Sequence, residues 1–163
     1  ALKEIPIRLY KEKILEKALK QTVVKYDYII LDCPASIEDS VINAIYFAKQ
    51  FVIPVEMGGF ASSAIQDVLE LIAEVKNYPS LQNLLDANIV RFLKNKVDGR
   101  GSFLNKKIDE EIKEILPYTF NNTIRQSLYI SRASVAKVPI TEYRNTPLVV
   151  KNDYINYINE LIQ

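Results

Sequence analysis

The side chains with the clearest chemical potential in this 163-residue chain follow short apolar runs. Asp32 comes directly after residues 28–31 (YIIL), a run typical of a strand that is buried on both faces of a sheet. A carboxylate at the end of such a strand is partly desolvated, and a hydrated Mg²⁺ ion bound to a phosphate would offset that cost. Asp32 is equally compatible with capping the next helix or accepting hydrogen bonds from loop amides.

Absent residue types narrow the possible chemistry. The sequence contains no histidine, which excludes imidazole catalysis and zinc sites built on histidine. Its four glycines form neither a G-x-x-x-x-G-K-[ST] loop nor a G-x-G-x-x-G turn, so these residues include no phosphate cradle of either kind. The one cysteine, Cys33, cannot form an internal disulfide, and we expect it to be a small buried residue in a reducing cytoplasm.

The order of the predicted elements would place polar residues at one edge of a sheet. Helical periodicity alternates with apolar runs, which predicts a single α/β domain over residues 1–163 with a mostly parallel sheet and helices on both faces. Ligands bind such sheets at the carboxyl ends of the strands. The predicted strands are 28–31, 51–55 (ending at Pro54), 88–93 and 118–120, and the predicted helices are 11–23, 38–49, 62–77, 104–115, 126–138 and one that Asn152 caps.

The net charge of +1 hides an uneven distribution. Residues 1–90 carry a net charge of −3, residues 91–151 carry +6, and the last twelve residues carry −2. A basic segment of this kind can attract polyanions, although a solvated surface of mixed charge is the plainer interpretation.

Several segments resemble, in the same order, the ParA family of partition ATPases, which belongs to the group with a deviant Walker A loop that includes MinD. The matching segments are 26–36 (the Walker B segment), Asn43-Ala44 (an asparagine-alanine pair), 51–61, 95–100 and 119–143. The resemblance implies a P-loop NTPase-like fold truncated at its amino-terminal side, because the Walker A strand and loop would precede residue 1. The apolar strand edge that this leaves predicts that the chain associates with itself or aggregates.

The resemblance implies ATP and Mg²⁺ as cofactors and a homodimer that closes on ATP. Asp32 is then the catalytic carboxylate and supports Mg²⁺ through water. Asn95 is expected beside the adenine, with Phe120, Asn121 and Asn122 as the wall of the base, although the family has Pro-Arg in place of the two asparagines. Without a phosphate loop, this chain alone is expected neither to hydrolyse ATP nor to bind it more tightly than about 1 mM.

The resemblance further implies DNA binding without sequence preference, a ParB-like partner protein and a cytoplasmic, nucleoid-associated location. The expected phosphate contacts are Arg100, Arg125, Arg132 and Lys137, all in the basic segment. Binding of this kind depends on counterion release and weakens with salt. Alternatively, Arg125 and Arg132 pair with local acids such as Glu142.

Other functions stay open at this point. A MinD-like positioning ATPase anchors to a membrane through a basic amphipathic helix, whereas residues 152–163 contain Asp153 and Glu160 but no Lys or Arg, so no membrane contact is expected. A non-catalytic module that dimerises or docks a ParB-like partner would fit the missing phosphate loop. A receiver or flavodoxin-like domain is disfavoured, because a receiver needs a second acid from an earlier strand beside Asp32.

Overall fold

The structure is a computed structural model that describes residues 13–20, 22–34, 38–56, 61–98, 110 and 116–163. The helices are α1 (Ile14–Leu19), α2 (Asp39–Phe47), α3 (Ala61–Lys76), α4 (Leu81–Asp86), α5 (Leu128–Ala136) and α6 (Leu148–Leu161), and the strands are β1 (Phe51–Glu56) and β2 (Val90–Asn95). Short 3₁₀ turns occupy Val23–Lys25 and Leu116–Tyr118. No helix in the described part of the chain is long and apolar enough to cross a bilayer.

A parallel pair of strands forms the centre of the fold. β1 and β2 pair in register from Phe51 with Val90 to Glu56 with Asn95. Residues 119–125 extend this arrangement on the other side of β2, through parallel bridges at Thr119 and Arg125. Because the three segments run in the same direction, their carboxyl ends lie at one edge. The predicted α/β class with parallel strands is confirmed.

Helices cover both faces of the strands, because alternate side chains of β2 point to opposite sides. Val90 and Phe92, both fully buried, face a core formed with α2, α3 and α4. The residues packed there include Val41, Ile45, Leu69, Ile72 and Leu84. Leu93 faces a second core on the opposite side. The residues packed with it are Phe120 and Ile124, with Val52 of β1, Ile130 of α5, and Tyr154, Tyr157 and Leu161 of α6.

Asn43, the asparagine of the pair found in the sequence, caps a helix other than its own. Its Oδ1 accepts hydrogen bonds from the backbone N–H groups of Ile14 (3.0 Å) and Leu15 (3.2 Å), which open α1. Its Nδ2 donates to the carbonyl of Asp39 (2.7 Å). The side chain therefore satisfies amides that have no partner within α1 and ties α1 to α2.

Residues 28–31 do not form the buried strand that the sequence predicts. The segment is irregular, and the side chain of Ile30 is 89% exposed. A strand needs a hydrogen-bonded neighbour, and no strand of the described structure pairs with this segment. Asp32 and Cys33 follow in the same irregular stretch and are exposed, so the expectation of a buried Cys33 is wrong.

Pro54 lies inside β1, opposite Leu93, and does not end the strand as predicted. The N–H of Phe51 donates to the carbonyl of Ile89 on the β2 side (2.7 Å). Strand alternation therefore turns the nitrogen of Pro54 away from β2, where its missing N–H costs no ladder bond.

Helix and strand boundaries show further differences from the sequence predictions. α6 begins at Leu148, and its N-cap residue Pro147 lies five residues before the predicted cap Asn152. The short helix α4 was not predicted, and the predicted strand at 118–120 is reduced to a single bridge at Thr119. The predicted helix 104–115 lies outside the described residues, apart from residue 110.

Candidate functional site

The turn that follows β2 brings polar side chains to the carboxyl edge of the strands. Lys96 adopts a left-handed backbone conformation (φ 54°), and its N–H donates to Oδ1 of Asn95 (2.9 Å). The Lys96 ammonium pairs with the carboxylate of Glu56, which ends β1. Both partners are more than half exposed, so the pair contributes little stability. Asn95 therefore lies at the strand end with its side chain turned back onto the loop.

Glu160 of α6 is held by side chains and amides from two other segments. Its Oε1 accepts hydrogen bonds from Arg91 Nη2 (2.8 Å), from the backbone N–H of Asn121 (2.8 Å) and from Asn121 Nδ2 (3.1 Å). Its Oε2 accepts from the backbone N–H of Asn122 (3.0 Å) and from Asn122 Nδ2 (2.7 Å). The side chain of Glu160 is only 13% exposed. We call Glu160, Arg91, Asn121 and Asn122 the Glu160 cluster.

The pKa of Glu160 reflects this environment. Burial by itself would raise the pKa, because it disfavours the charged carboxylate. The backbone amides of Asn121 and Asn122, the Asn122 side chain and Arg91 all stabilise the charged form and outweigh burial. Together they lower the pKa of Glu160 from 4.5 to about 2. The carboxylate is therefore ionised throughout the physiological pH range.

Phe120 lies in the core directly behind the Glu160 cluster. The Arg91 guanidinium is 3.7 Å from the centroid of the Phe120 ring, a distance suited to a cation–π contact. The ring of Tyr157 meets Phe120 edge-on, at a centroid distance of 5.1 Å and an angle of 84°. Phe120 is only 2% exposed, so its ring supports the segment from inside rather than presenting a face to a ligand.

The predicted phosphate-contacting arginines and lysine have different environments. Arg125 is bound to Asp153 of α6 through Nε (2.6 Å) and Nη2 (2.9 Å), and this hydrogen bonding raises the pKa of the guanidinium. The Arg125 side chain stays 42% exposed, and its acidic partner is Asp153 rather than Glu142. Arg132 and Lys137 are exposed on and after α5, whereas Arg100 lies outside the described residues.

A shallow polar cavity of about 310 Å³, widely open to solvent, lies beside the Glu160 cluster. It is lined by Asn121, Asn122, Asn156, Asn159, Glu160 and Gln163. The lining is dominated by carboxamides, which both donate and accept hydrogen bonds, and it contains no lysine or arginine. The cavity is therefore suited to a neutral polar group rather than to a phosphate.

Asp32, the predicted magnesium-supporting residue, is exposed in an irregular segment. No group of three or more His, Cys, Asp or Glu side chains in the described ranges could hold a metal ion. Mg²⁺ is commonly bound by one or two carboxylates together with phosphate oxygens and water. The exposed carboxylate of Asp32 could therefore support Mg²⁺ only alongside the phosphates of a nucleotide.

The structural roles of Asp153 and Glu160 were not predicted from the sequence, where the two acids only argued against a basic membrane helix. In the structure both side chains contact segment 119–125. The available signal was their spacing of seven residues, which places two acids on one helix face. The two acids follow directly after residues 91–151, which carry a net charge of +6 and include Arg91 and Arg125. Opposite charges in these two segments were a signal that they pair.

The parallel strands, the helices on both faces and the polar strand ends define a P-loop NTPase-like α/β domain. The sequence matches the AAA domain family over residues 2–86, just over half of the chain, and the chain belongs to that family. It is 26% identical over 140 residues to the sporulation initiation inhibitor protein Soj of Bacillus subtilis (strain 168), which covers 86% of this chain and 54% of that protein.

Other relatives show the same relationship. The chromosome-partitioning ATPase Soj of Treponema pallidum (strain Nichols) is 26% identical over 137 residues, or 82% of this chain and 51% of the relative. An uncharacterized protein of Pseudomonas putida is 26% identical over 136 residues, or 82% and 49%. These similarities confirm the relationship to the ParA family of partition ATPases. The chain spans about half the length of these curated relatives.

Acid is expected to destabilise the fold through Glu160. The pKa of Glu160 is lower in the folded chain than its ordinary value of 4.5, so its contribution is complete above about pH 5 and is lost as the pH falls toward 2. The difference between the two pKa values, about 2.5 units, sets an upper limit of about 3.4 kcal/mol on this contribution to the free energy of unfolding. Urea unfolding, followed by circular dichroism between about pH 7 and pH 2, measures this loss.

Glu160→Gln is the matched variant, because a carboxamide does not titrate in this range. We expect its stability to fall less steeply with acid than that of the wild-type chain. Asp67→Asn, which changes an exposed acid on α3, serves as the control and should retain the wild-type pH dependence. Identical pH profiles for the wild type and Glu160→Gln would contradict this assignment.

Proposed function

We propose that this chain is the carboxyl-terminal half of a ParA-like partition ATPase that binds ATP and Mg²⁺ at the carboxyl edge of its sheet. The observation that carries the proposal is the parallel direction of β1, β2 and residues 119–125, which ends all three segments at one edge. Membership of the AAA domain family and similarity to a chromosome-partitioning ATPase support it.

The phosphate-binding loop is proposed to come from polypeptide outside these 163 residues. Within the described structure β1 pairs with β2 alone, and a further strand is proposed along the other edge of β1. Pro54 points toward that edge and has no N–H to donate, so this strand would lack one ladder hydrogen bond at Pro54. A strand there would also give residues 28–31 the neighbour that their exposed apolar side chains lack. This arrangement would place Asp32 beside the phosphates.

The remaining assignments follow from the same proposal. Asp32 supports Mg²⁺ through water, Asn95 contacts the adenine, and Phe120 to Asn122 form the wall of the base site. This assignment is supported by the positions of Asn121 and Asn122 in the lining of the polar cavity and by the burial of Phe120 in the adjoining core. The complete protein forms a homodimer on ATP, acts with a ParB-like partner and associates with the nucleoid.

The purified chain alone is expected to show no ATP hydrolysis and to bind Mg²⁺·ATP with a dissociation constant above about 1 mM, because it has no phosphate loop. In an NMR titration, the amide signals that move should include those of Asn95, Asn121 and Asn122. Asp32→Ala should remove the part of the response that depends on Mg²⁺, whereas Asp27→Ala, an exposed acid in the same segment, should keep it.

Two results would contradict these expectations. Magnesium-dependent hydrolysis by the chain, abolished by Asp32→Ala but not by Asp27→Ala, would show that no further phosphate loop is needed. A titration to about 20 mM ATP that moves no amide signal at all would argue against a nucleotide-binding half.

DNA binding is proposed to involve Arg132 and Lys137, with Arg100 and Arg125 as further contacts. Arg132 and Lys137 are exposed. Arg125 is already bound to Asp153, so its exposed portion alone can reach a phosphate. Contacts of this kind release counterions from DNA without reading its sequence.

Fluorescence anisotropy with a labelled duplex tests this proposal. We expect weak binding, with a dissociation constant on the order of 10–100 μM, that decreases steeply between about 50 and 200 mM salt. Arg132→Ala and Lys137→Ala should each reduce the slope of log affinity against log salt by about one. Lys25→Ala, at an exposed position in the acidic half, should leave the slope unchanged. An affinity for the duplex that does not change with salt concentration would contradict the proposed phosphate contacts.

A further inference from the structure

The two carboxylate oxygens of Glu160 accept hydrogen bonds from different residues. Oε1 accepts the backbone and side-chain N–H groups of Asn121 together with Arg91, whereas Oε2 accepts the backbone and side-chain N–H groups of Asn122. Two consecutive backbone amides therefore point at a single carboxylate. This is the geometry of an anion-binding turn, with a side chain of the same protein as the anion.

The sheet anchors the chain on either side of this turn but not at the turn itself. The N–H of Phe120 donates to the carbonyl of Phe92 (2.9 Å), and the N–H of Ile124 donates to the carbonyl of Lys94 (2.9 Å). Between these anchors, the N–H groups of Asn121 and Asn122 leave the ladder and turn toward α6. Glu160 thus fixes the backbone of Asn121 and Asn122, which no hydrogen bond to β2 holds in place.

Each asparagine of the turn provides both a backbone donor and a side-chain donor to the Glu160 carboxylate. The residue at position 121 must have a backbone N–H to make the 2.8 Å bond, which excludes proline there. Both positions therefore carry residues that can hold the turn against Glu160.

We propose that Glu160 is a positioning residue that sets the wall of the nucleotide-base site by holding Asn121 and Asn122 in place. This inference rests on the proposed function, which puts these two residues against the base. Glu160 directs one face of the asparagine pair toward α6, while both residues also line the adjoining cavity. With the turn held, the carboxamides present a defined hydrogen-bonding pattern, which is what discrimination between bases requires.

The substitution Glu160→Gln separates the contact with Asn121 from the contact with Asn122, because glutamine has only one side-chain oxygen. We expect that oxygen to take the Oε1 position, where three donors including Arg91 converge, and its NH₂ group to face the donors of Asn122. The backbone N–H of Asn122 therefore loses its acceptor, whereas the Asn122 side chain keeps the carbonyl of Asn156 (3.4 Å). The backbone N–H of Asn121 keeps an acceptor. Glu160→Asp retains both oxygens and should behave more like the wild type.

Hydrogen exchange of single amides, measured by NMR on the 163-residue chain, tests the positioning itself. We expect Glu160→Gln to accelerate exchange at Asn122 by about tenfold or more, with a smaller effect at Asn121. Asp153→Asn is the matched control. Asp153 lies on α6, as Glu160 does, and accepts a hydrogen bond from the backbone N–H of Arg125 (3.2 Å). It should affect the Arg125 amide and leave residues 121 and 122 protected. Equal exchange at Asn122 in wild type and Glu160→Gln would overturn the proposal.

Titration with ATP and with GTP tests the consequence for the base site. The wild-type chain should prefer one nucleotide, and Glu160→Gln should reduce that preference by about threefold or more. Asp153→Asn and Glu160→Asp should retain it. An unchanged preference in Glu160→Gln, with exchange at Asn122 accelerated, would overturn the role at the base but not the contact. A wild-type chain that responds to neither nucleotide would overturn the proposed function and this role with it.

Discussion

The carboxylate of Glu160 joins the last helix to β2 and to the segment that extends the sheet. Its bond to Arg91 links residues 69 positions apart in the sequence, and the amides of Asn121 and Asn122 complete its shell. A carboxylate this buried would cost several kcal/mol if it had no partners. α6 cannot cover the second core, which contains Leu93 and Phe120, without also burying Glu160. Packing of this core therefore requires that the hydrogen bonds of Glu160 form as well.

A second ion pair, between Asp153 and Arg125, fixes the orientation of α6 on residues 119–125. Asp153 binds Arg125 two helical turns before Glu160, so α6 is held at two points along residues 119–125. With two anchors the helix can neither slide nor rotate over the segment without breaking a charge-assisted bond. The segment that we propose to contact a nucleotide base thus packs against α6 on one side and against β2 on another.

Much of this fold could be predicted from local pattern, and the remainder depends on partners that are distant in sequence. The periodicity of α2 and α3 and the apolar runs of β1 and β2 are local signals, and these elements form close to where they were predicted. The run at 28–31 carries the same signal, but a strand also needs a neighbour, and Ile30 stays exposed without one. Asn95 could be assigned to a strand end from its position. The role of Glu160 could not, because it depends on where Asn121 and Asn122 turn their amides.

Glu160 and Arg91 act together to hold α6 against β2 and residues 119–125. A double-mutant cycle in urea unfolding, with Arg91→Ala, Glu160→Gln and the two combined, measures this joint action. We expect a coupling energy of about 1–3 kcal/mol, because each side chain loses its charged partner when the other is removed. Effects that add to within about 0.5 kcal/mol would show that the two residues act independently and would contradict the account.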